Sequence, residues 1–202
     1  MTTVAEMPAG FANKVLSAQS TFRSVMDAMA RPGSVQRIAA PSGVPGPMMR
    51  GAAAIALTLF DQDTPVWLDA AMTTAADAGK WIRFHCSAPI VADSGVADFA
   101  VIGDSRALQE FDRFALGSGE YPDRSTTLIV QVDSLEQGGG IELSGPGIDG
   151  TTMLRAAIGI PDLLDRLAAN HALFPRGIDL ILVADDAIVA IPRTTRLVAK
   201  EG

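Results

Sequence analysis

Segments with helical periodicity alternate along this chain with short apolar runs, and the runs are punctuated by proline, glycine and aspartate. That alternation predicts an α/β fold: a single layered domain with a mixed sheet flanked by helices. Ser17 to Arg31 places Phe22, Val25, Met26 and Met29 at helical spacing and stops at Pro32-Gly33, which predicts an amphipathic helix. The proline- and glycine-rich run Pro41 to Pro47 reads as a loop before an alanine-rich helix over Met49 to Phe60. Asp61, Gln62 and Asp63 close that helix, and Thr64-Pro-Val-Trp-Leu68 reads as a short strand with its proline near the start. Further strands are expected at Trp81 to His85 and at Phe99 to Ile102, with a helix between Ser105 and Phe114. Thr126 to Val132 and Ile141 to Leu143 flank Gly138-Gly139-Gly140, the pattern of two strands joined by a glycine turn. Pro161 to Asn170 reads as a helix with proline in its first turn, and Ile178 to Val183 with Ala187 to Ile191 as a hairpin about Asp185-Asp186. No repeat, low-complexity tract or long linker divides the chain, so residues 17–202 are expected to form one domain behind a flexible segment 1–16.

Composition narrows the partners. Sixteen basic against twenty-three acidic residues give a net charge of -7, which opposes the phosphate attraction that drives binding to nucleic acid and anionic membranes. No apolar stretch approaches the length of a bilayer span and no secretory signal opens the chain, so it is expected in the cytoplasm. The single cysteine, Cys86, cannot form an internal disulfide, which fits a reducing compartment. At 48% hydrophobic residues, much of it alanine, the chain is expected to cover some apolar surface with another chain. Thirteen arginines stand against three lysines, a bias that suits bidentate capture of phosphate or carboxylate and that a GC-rich genome also produces.

Few groups could carry chemistry. With His85, His171 and Cys86 as the only nitrogen and sulfur candidates, a zinc site is not expected. Asp61 and Asp63 could join a magnesium site through oxygen or simply form the turn that ends the preceding helix. If Trp81 to His85 is a strand, Cys86 points away from His85 into the core, while Arg83 and His85 share one face. That pair could grip an anion; the alternatives are a structural ion pair or a satisfied, partly buried histidine. Gly117-Ser-Gly119-Glu-Tyr-Pro122 fails as a dinucleotide loop because it follows a helix and ends in proline. Lys14 and Lys200 lie near the ends and Lys80 is expected in a glycine-led surface turn, so no lysine is placed to hold pyridoxal phosphate. What remains is four turns that fix backbone donors and aim a side chain: Arg31-Pro32-Gly33, Ser144-Gly-Pro-Gly147, Phe174-Pro-Arg176-Gly177-Ile-Asp179 and Pro192-Arg193-Thr194-Thr195-Arg196. Each suits a phosphorylated ligand or a partner surface, and each is also an ordinary turn.

Taken in order, these segments resemble a known family. Phe22-Arg23 with Met26, Met29 and Pro32-Gly33; Leu57-Thr-Leu-Phe-Asp61-Gln-Asp63-Thr-Pro-Val-Trp67-Leu68; Arg83-Phe-His85; and Tyr121-Pro with Ser125 and Thr127-Leu128 come first. Gly145-Pro-Gly147-Ile, Phe174-Pro-Arg-Gly-Ile-Asp179 and Ile191-Pro-Arg-Thr194-Thr195 complete a pattern that resembles PhnH, the H subunit of the bacterial carbon-phosphorus lyase system, over roughly Ser17 to Leu197. The resemblance implies a homodimeric α/β fold, likened to the large domain of pyridoxal-phosphate transferases but without that cofactor. It implies G, I and J subunits as partners in a core complex. It also implies a role, with the G, I and ATPase-like L subunits, in displacing adenine from ATP by an alkylphosphonate to give a ribose 1-alkylphosphonate 5-triphosphate. Carbon-phosphorus cleavage falls to the radical-SAM, iron-sulfur J subunit, and one cysteine could not hold such a cluster here. No cofactor of its own is expected. Residue chemistry nominates Arg83, His85, Arg176, Arg193 and Thr194 as anion or ligand contacts, with Asp61 or Asp63 near ribose or magnesium. A dimeric scaffold that only bridges the other subunits, and a self-sufficient small-molecule enzyme, are the alternatives.

Overall fold

The computed structural model describes residues 9–74 and 77–198. Helix α1 spans Lys14–Ala30, with the Asn13 side chain accepting a hydrogen bond from the Leu16 amide at 3.1 Å as its N-cap. It ends at Arg31 because a residue before proline is pushed out of the helical region, and Arg31 sits at φ -130, ψ 73. Of the segment 1–16, residues 1–8 lie outside the described residues, and Lys14, Val15 and Leu16 already belong to α1. The helix turns Thr21, Val25 and Ala28 into the core, so Phe22 and Met26 of the expected apolar set point outward, 47% and 52% exposed. Strand β1 (Gln36–Arg37) follows, then α2 (Arg50–Leu59), whose buried face is Gly51 and a run of small residues that lets it lie close to the sheet. The Gly51 amide donates to the Asp185 carbonyl at 2.6 Å, and a Cβ there would stand 2.7 Å from that oxygen.

After β2 (Val66–Leu68) and α3 (Ala70–Thr74) comes the first correction: Trp81 to His85 is not a strand but the second half of helix α4 (Asp77–Cys86). Its buried residues Ala78, Trp81 and Ile82 recur with a helical period, and Lys80 pairs with Asp77 one turn earlier at 3.7 Å. Strands β3 (Ile90–Val91) and β4 (Phe99–Ile102) follow. The expected helix between Ser105 and Phe114 is replaced by two separate 3-10 turns, Ser105–Ala107 and Phe111–Arg113. Strand β5 (Thr127–Gln131) does not form a hairpin with Ile141 to Leu143, because the two lie in different sheets. The three glycines sit inside β6 (Ser134–Ser144), which pairs instead with β7 (Thr151–Ala157), a strand not anticipated. Helix α5 (Leu163–Ala172) begins two residues beyond Pro161, and the hairpin of β8 (Asp179–Ala184) and β9 (Ala187–Ile191) turns about Asp185-Asp186 as expected. The short β10 (Arg196–Leu197) closes the described chain.

The large sheet has seven strands in the order β1-β9-β8-β5-β4-β2-β3, with β2, β3, β4, β5 and β8 parallel and β9 antiparallel to β8. Both faces are covered, which is why its strands read as unbroken apolar runs. Along β8, Ile181 and Val183 join a core with Ile55 of α2 and Trp81 of α4, while Leu180 and Leu182 join a second core with Leu163 and Leu167 of α5. The second core is roofed by the antiparallel sheet β10-β6-β7 through Leu143 and Leu154. The result is the layered mixed α/β architecture expected, with helices on one face and a small sheet plus one helix on the other.

Candidate functional site

The four turns singled out by sequence are neighbours in space. A Cβ on Gly147, at φ 82, would stand 2.0 Å from the Ala30 carbonyl and 3.1 Å from Pro32, so the glycine turn closes against the end of α1. Gly145 approaches the Thr194 carbonyl, within 3.0 Å of where its Cβ would be, and β10 pairs with Leu143 and Ser144 directly beyond. Arg193 then binds the turn from Phe174 to Asp179. Its backbone amide and Nε donate to Asp179 Oδ1 at 2.8 and 3.2 Å, and Nη2 donates to Asp179 Oδ2. Nη2 also donates to Ser125 Oγ, and Nη1 donates to the Pro122 carbonyl at 2.7 Å and to the Pro175 carbonyl at 3.4 Å. All five side-chain N–H donors of this arginine are thereby occupied by protein acceptors, and its side chain is only 12% exposed. Arg193 locks its own turn to the turn from Phe174 to Asp179 and to the segment from Pro122 to Ser125, with no donor left for a ligand in this arrangement. Thr194 lies in the same turn, half-buried, and Arg176 stands exposed on the turn that the lock holds, making no side-chain hydrogen bond or ion pair among the described residues.

The remaining candidates gather elsewhere on the same edge of the sheet, ahead of β2 and β3. β5 and β4 lie between β8 and β2, so the two groups are about 14 Å apart at the usual strand spacing. Asp61 makes a local turn: its Oδ1 accepts from the Thr64 hydroxyl at 2.7 Å and from the Asp63 amide at 3.0 Å. The Thr64 hydroxyl, then the Asp63 amide, hold the Asp61 carboxyl below its ordinary pKa. Asp63 is exposed beside it, and among the described residues no three His, Cys, Asp or Glu side chains gather as a metal site. In this arrangement Asp61 and Thr64 form the turn that ends α2.

The shared face expected for Arg83 and His85 does not exist, because residues two apart on a helix point in nearly opposite directions. Arg83 is exposed, whereas His85 lies against Trp81 and Phe84, with ring centroids 4.6 and 4.9 Å away, and beside Gly10. Cys86 packs against the first core and donates its thiol to the Ala56 carbonyl at 3.4 Å. Burial pushes its pKa up to about 11, which suits a core residue rather than a nucleophile.

Motif reading passed over a buried carboxylate held by three backbone amides. Asp69, buried at the carboxyl end of β2, accepts from the Met72 amide at 2.9 Å, the Gly103 amide at 2.8 Å and the Asp104 amide at 3.0 Å. The Leu68-Asp69-Ala70 junction, an aspartate between strand and helix, was the available signal. Likewise Gln131 of β5 accepts from the Met49 amide and donates to the Pro47 carbonyl at 3.0 Å, tying the proline-rich loop to the sheet.

The fold and its turns define a class: a two-core α/β protein whose most distinctive motifs lock one another and whose polar candidates stand in two separate groups. Residues 9–198 match the family described as bacterial phosphonate metabolism protein (PhnH). The chain is also 47% identical over 199 residues, covering 98% of each protein, to the alpha-D-ribose 1-methylphosphonate 5-triphosphate synthase subunit PhnH of Rhizobium meliloti (strain 1021). It is 28% identical over 199 residues, covering 97% of this chain and 95% of the relative, to the putative C-P lyase subunit protein HtxG of Stutzerimonas stutzeri. The chain belongs to the PhnH family.

Proposed function

We propose that this chain is a subunit of the carbon-phosphorus lyase core complex and supports, with the G, I and L subunits, transfer of the ribose 5-triphosphate moiety of ATP to an alkylphosphonate. The observation that carries the reading is the match, along nearly its whole length, to a protein named as a subunit of ribose 1-methylphosphonate 5-triphosphate synthase. In that reaction a phosphonate oxygen attacks the ribose anomeric carbon, the carbon–nitrogen bond to adenine breaks, and adenine leaves with the electron pair and takes up a proton. Such a step needs cations to neutralise phosphonate and triphosphate and dipoles to steady an oxocarbenium-like centre.

Of the nominated arginines, Arg83 and Arg176 are exposed and make no ion pair among the described residues, so they are the groups able to meet such anions. Arg193 contributes by holding the turn that carries Arg176. His85, Thr194, Asp61 and Asp63 enter only as neighbours of a ligand brought by a partner. Lys80 is exposed and paired with Asp77, and Lys14 opens α1, placements that suit a protein with no Schiff-base cofactor of its own. The same proposal includes the likeness to pyridoxal-phosphate transferases, homodimer formation in isolation, association with G, I and J, and a cytoplasmic site. Among the described residues no helix is long and apolar enough to cross a membrane.

A purely structural scaffold is the second reading, and the saturated Arg193 favours it. The two separate in an assembled complex bearing Arg83→Ala and Arg176→Ala together. Intact assembly with product formation slowed by about 100-fold or more supports a role in the chemistry. An unchanged rate supports the scaffold.

A further inference from the structure

Helix α5 is flanked by open clefts that the turn motifs do not explain. One, of about 370 Å³, lies between α5 and the turn at Phe111 and is floored by Phe111, Leu116 and Leu173. On the other flank, clefts of about 400 and 570 Å³ run between α5 and the small sheet over Ile141, Met153, Ile158 and Leu197. Asp165, on the crest of the helix, lines all three, so they form one continuous surface around it. Leu164 and Met153 are 52% and 48% exposed within it, large apolar side chains that solvent leaves uncovered.

The charged side chains that line the clefts are acidic except Arg166. Asp112, Glu142, Asp162 and Asp165 border the clefts, and none has a basic partner among the described residues. The cation present, Arg166, is neutralised by Glu110 at 2.6 Å, and its Nη1 donates to the Leu108 and Gln109 carbonyls. A two-fold contact between copies would set these four carboxylates against themselves, on a chain whose net charge is already -7. A cationic partner would complete them.

From this complementarity we infer that the surface around α5 is the docking site for a segment of another subunit that carries arginine or lysine among apolar side chains. This rests on the reading of the chain as a complex subunit and names the face by which it joins. The apolar floor takes the body of that segment, and the rim carboxylates set its position and speed its arrival, a contribution that salt weakens.

The test is co-expression with the G, I and J subunits, purification through a tag on the I subunit, and measurement of how much of this chain is retained at low and high salt. Three forms are compared: the natural chain, Asp162→Lys with Asp165→Lys, and a charge-matched control, Glu120→Lys with Asp149→Lys, at exposed positions that line none of the three clefts. Circular dichroism melts confirm that each is folded. The inference predicts retention of the natural chain and the control, falling with salt, and a loss of about tenfold or more for the α5 variant. Equal retention of all three overturns the docking face while leaving the subunit reading intact. Equal loss in both variants overturns it too, since net charge alone would then explain the effect. Failure of the natural chain itself to be retained overturns the subunit reading, and this inference with it.

Discussion

At the scale of single residues, Arg193 and Cys86 show opposite uses of burial. Removing Arg193 leaves the Asp179 carboxylate, 14% exposed, without its counter-charge, and strands acceptors in the turns at Pro122, Ser125 and Pro175. Arg193→Ala is expected to lower unfolding stability by about 3–5 kcal/mol in urea titrations, the range for breaking a buried pair. Arg193→Lys is expected to recover only part, because an ammonium cannot reproduce the planar fork. Cys86 has its pKa raised from 9.0 to about 11 by burial. Its thiolate at pH 8 is therefore about a thousandth of the population, and alkylation of the native protein is expected to be far slower than that of the unfolded chain. In the linkage between protons and folding, the unfolded thiol ionises first, so this contribution to stability is complete below pH 9 and is lost as pH rises towards 11. Cys86→Ala should remove that slope from a denaturation series between pH 8 and 11, and an unchanged slope would show that the thiol is not responsible.

At the scale of elements, packing chooses between conformations that composition leaves open. The β8–β9 hairpin was legible because its two apolar runs are buried on both faces and meet at Asp185-Asp186, where Asp185 takes a φ of 51. Helix α4 was not legible. Trp81-Ile82-Arg83-Phe84-His85 has the aromatic, β-branched look of a strand, and only the burial of Ala78 with Trp81 and Ile82 reveals its period. Strand β7 escaped notice because Thr151, Met153 and Arg155 face solvent and interrupt its apolar pattern. The turn motifs could be located by proline, glycine and arginine, but their mutual contacts, such as Gly145 against Thr194 and Gly147 against Pro32, lie far apart in sequence, and no local pattern carries that information. Gly147 gives this a test. Alanine there must adopt φ 82 and place its Cβ 2.0 Å from the Ala30 carbonyl, so Gly147→Ala is expected to cost at least about 2 kcal/mol. Gly119→Ala, with open space at its Cβ, is expected to change stability by less than about 0.5 kcal/mol in the same urea titration.

At the scale of the whole molecule, the chain divides its surface between tasks. The amino-terminal edge of the large sheet carries interlocked turns from which Arg176 projects, with Arg83 in the separate group ahead of β3, while the opposite layer carries the acidic clefts around α5. The family the chain belongs to is one of bacterial phosphonate metabolism proteins. Two relatives are named as subunits, and the proposed function has this chain act beside others. The most direct measurement is product formation by the G, I and L subunits supplied with ATP and methylphosphonate, with and without this protein. If this chain supports the transfer, ribose 1-methylphosphonate 5-triphosphate and free adenine appear only when it is present, and the chain alone yields neither. Equal product formation in its absence, or turnover by the isolated chain, would contradict it.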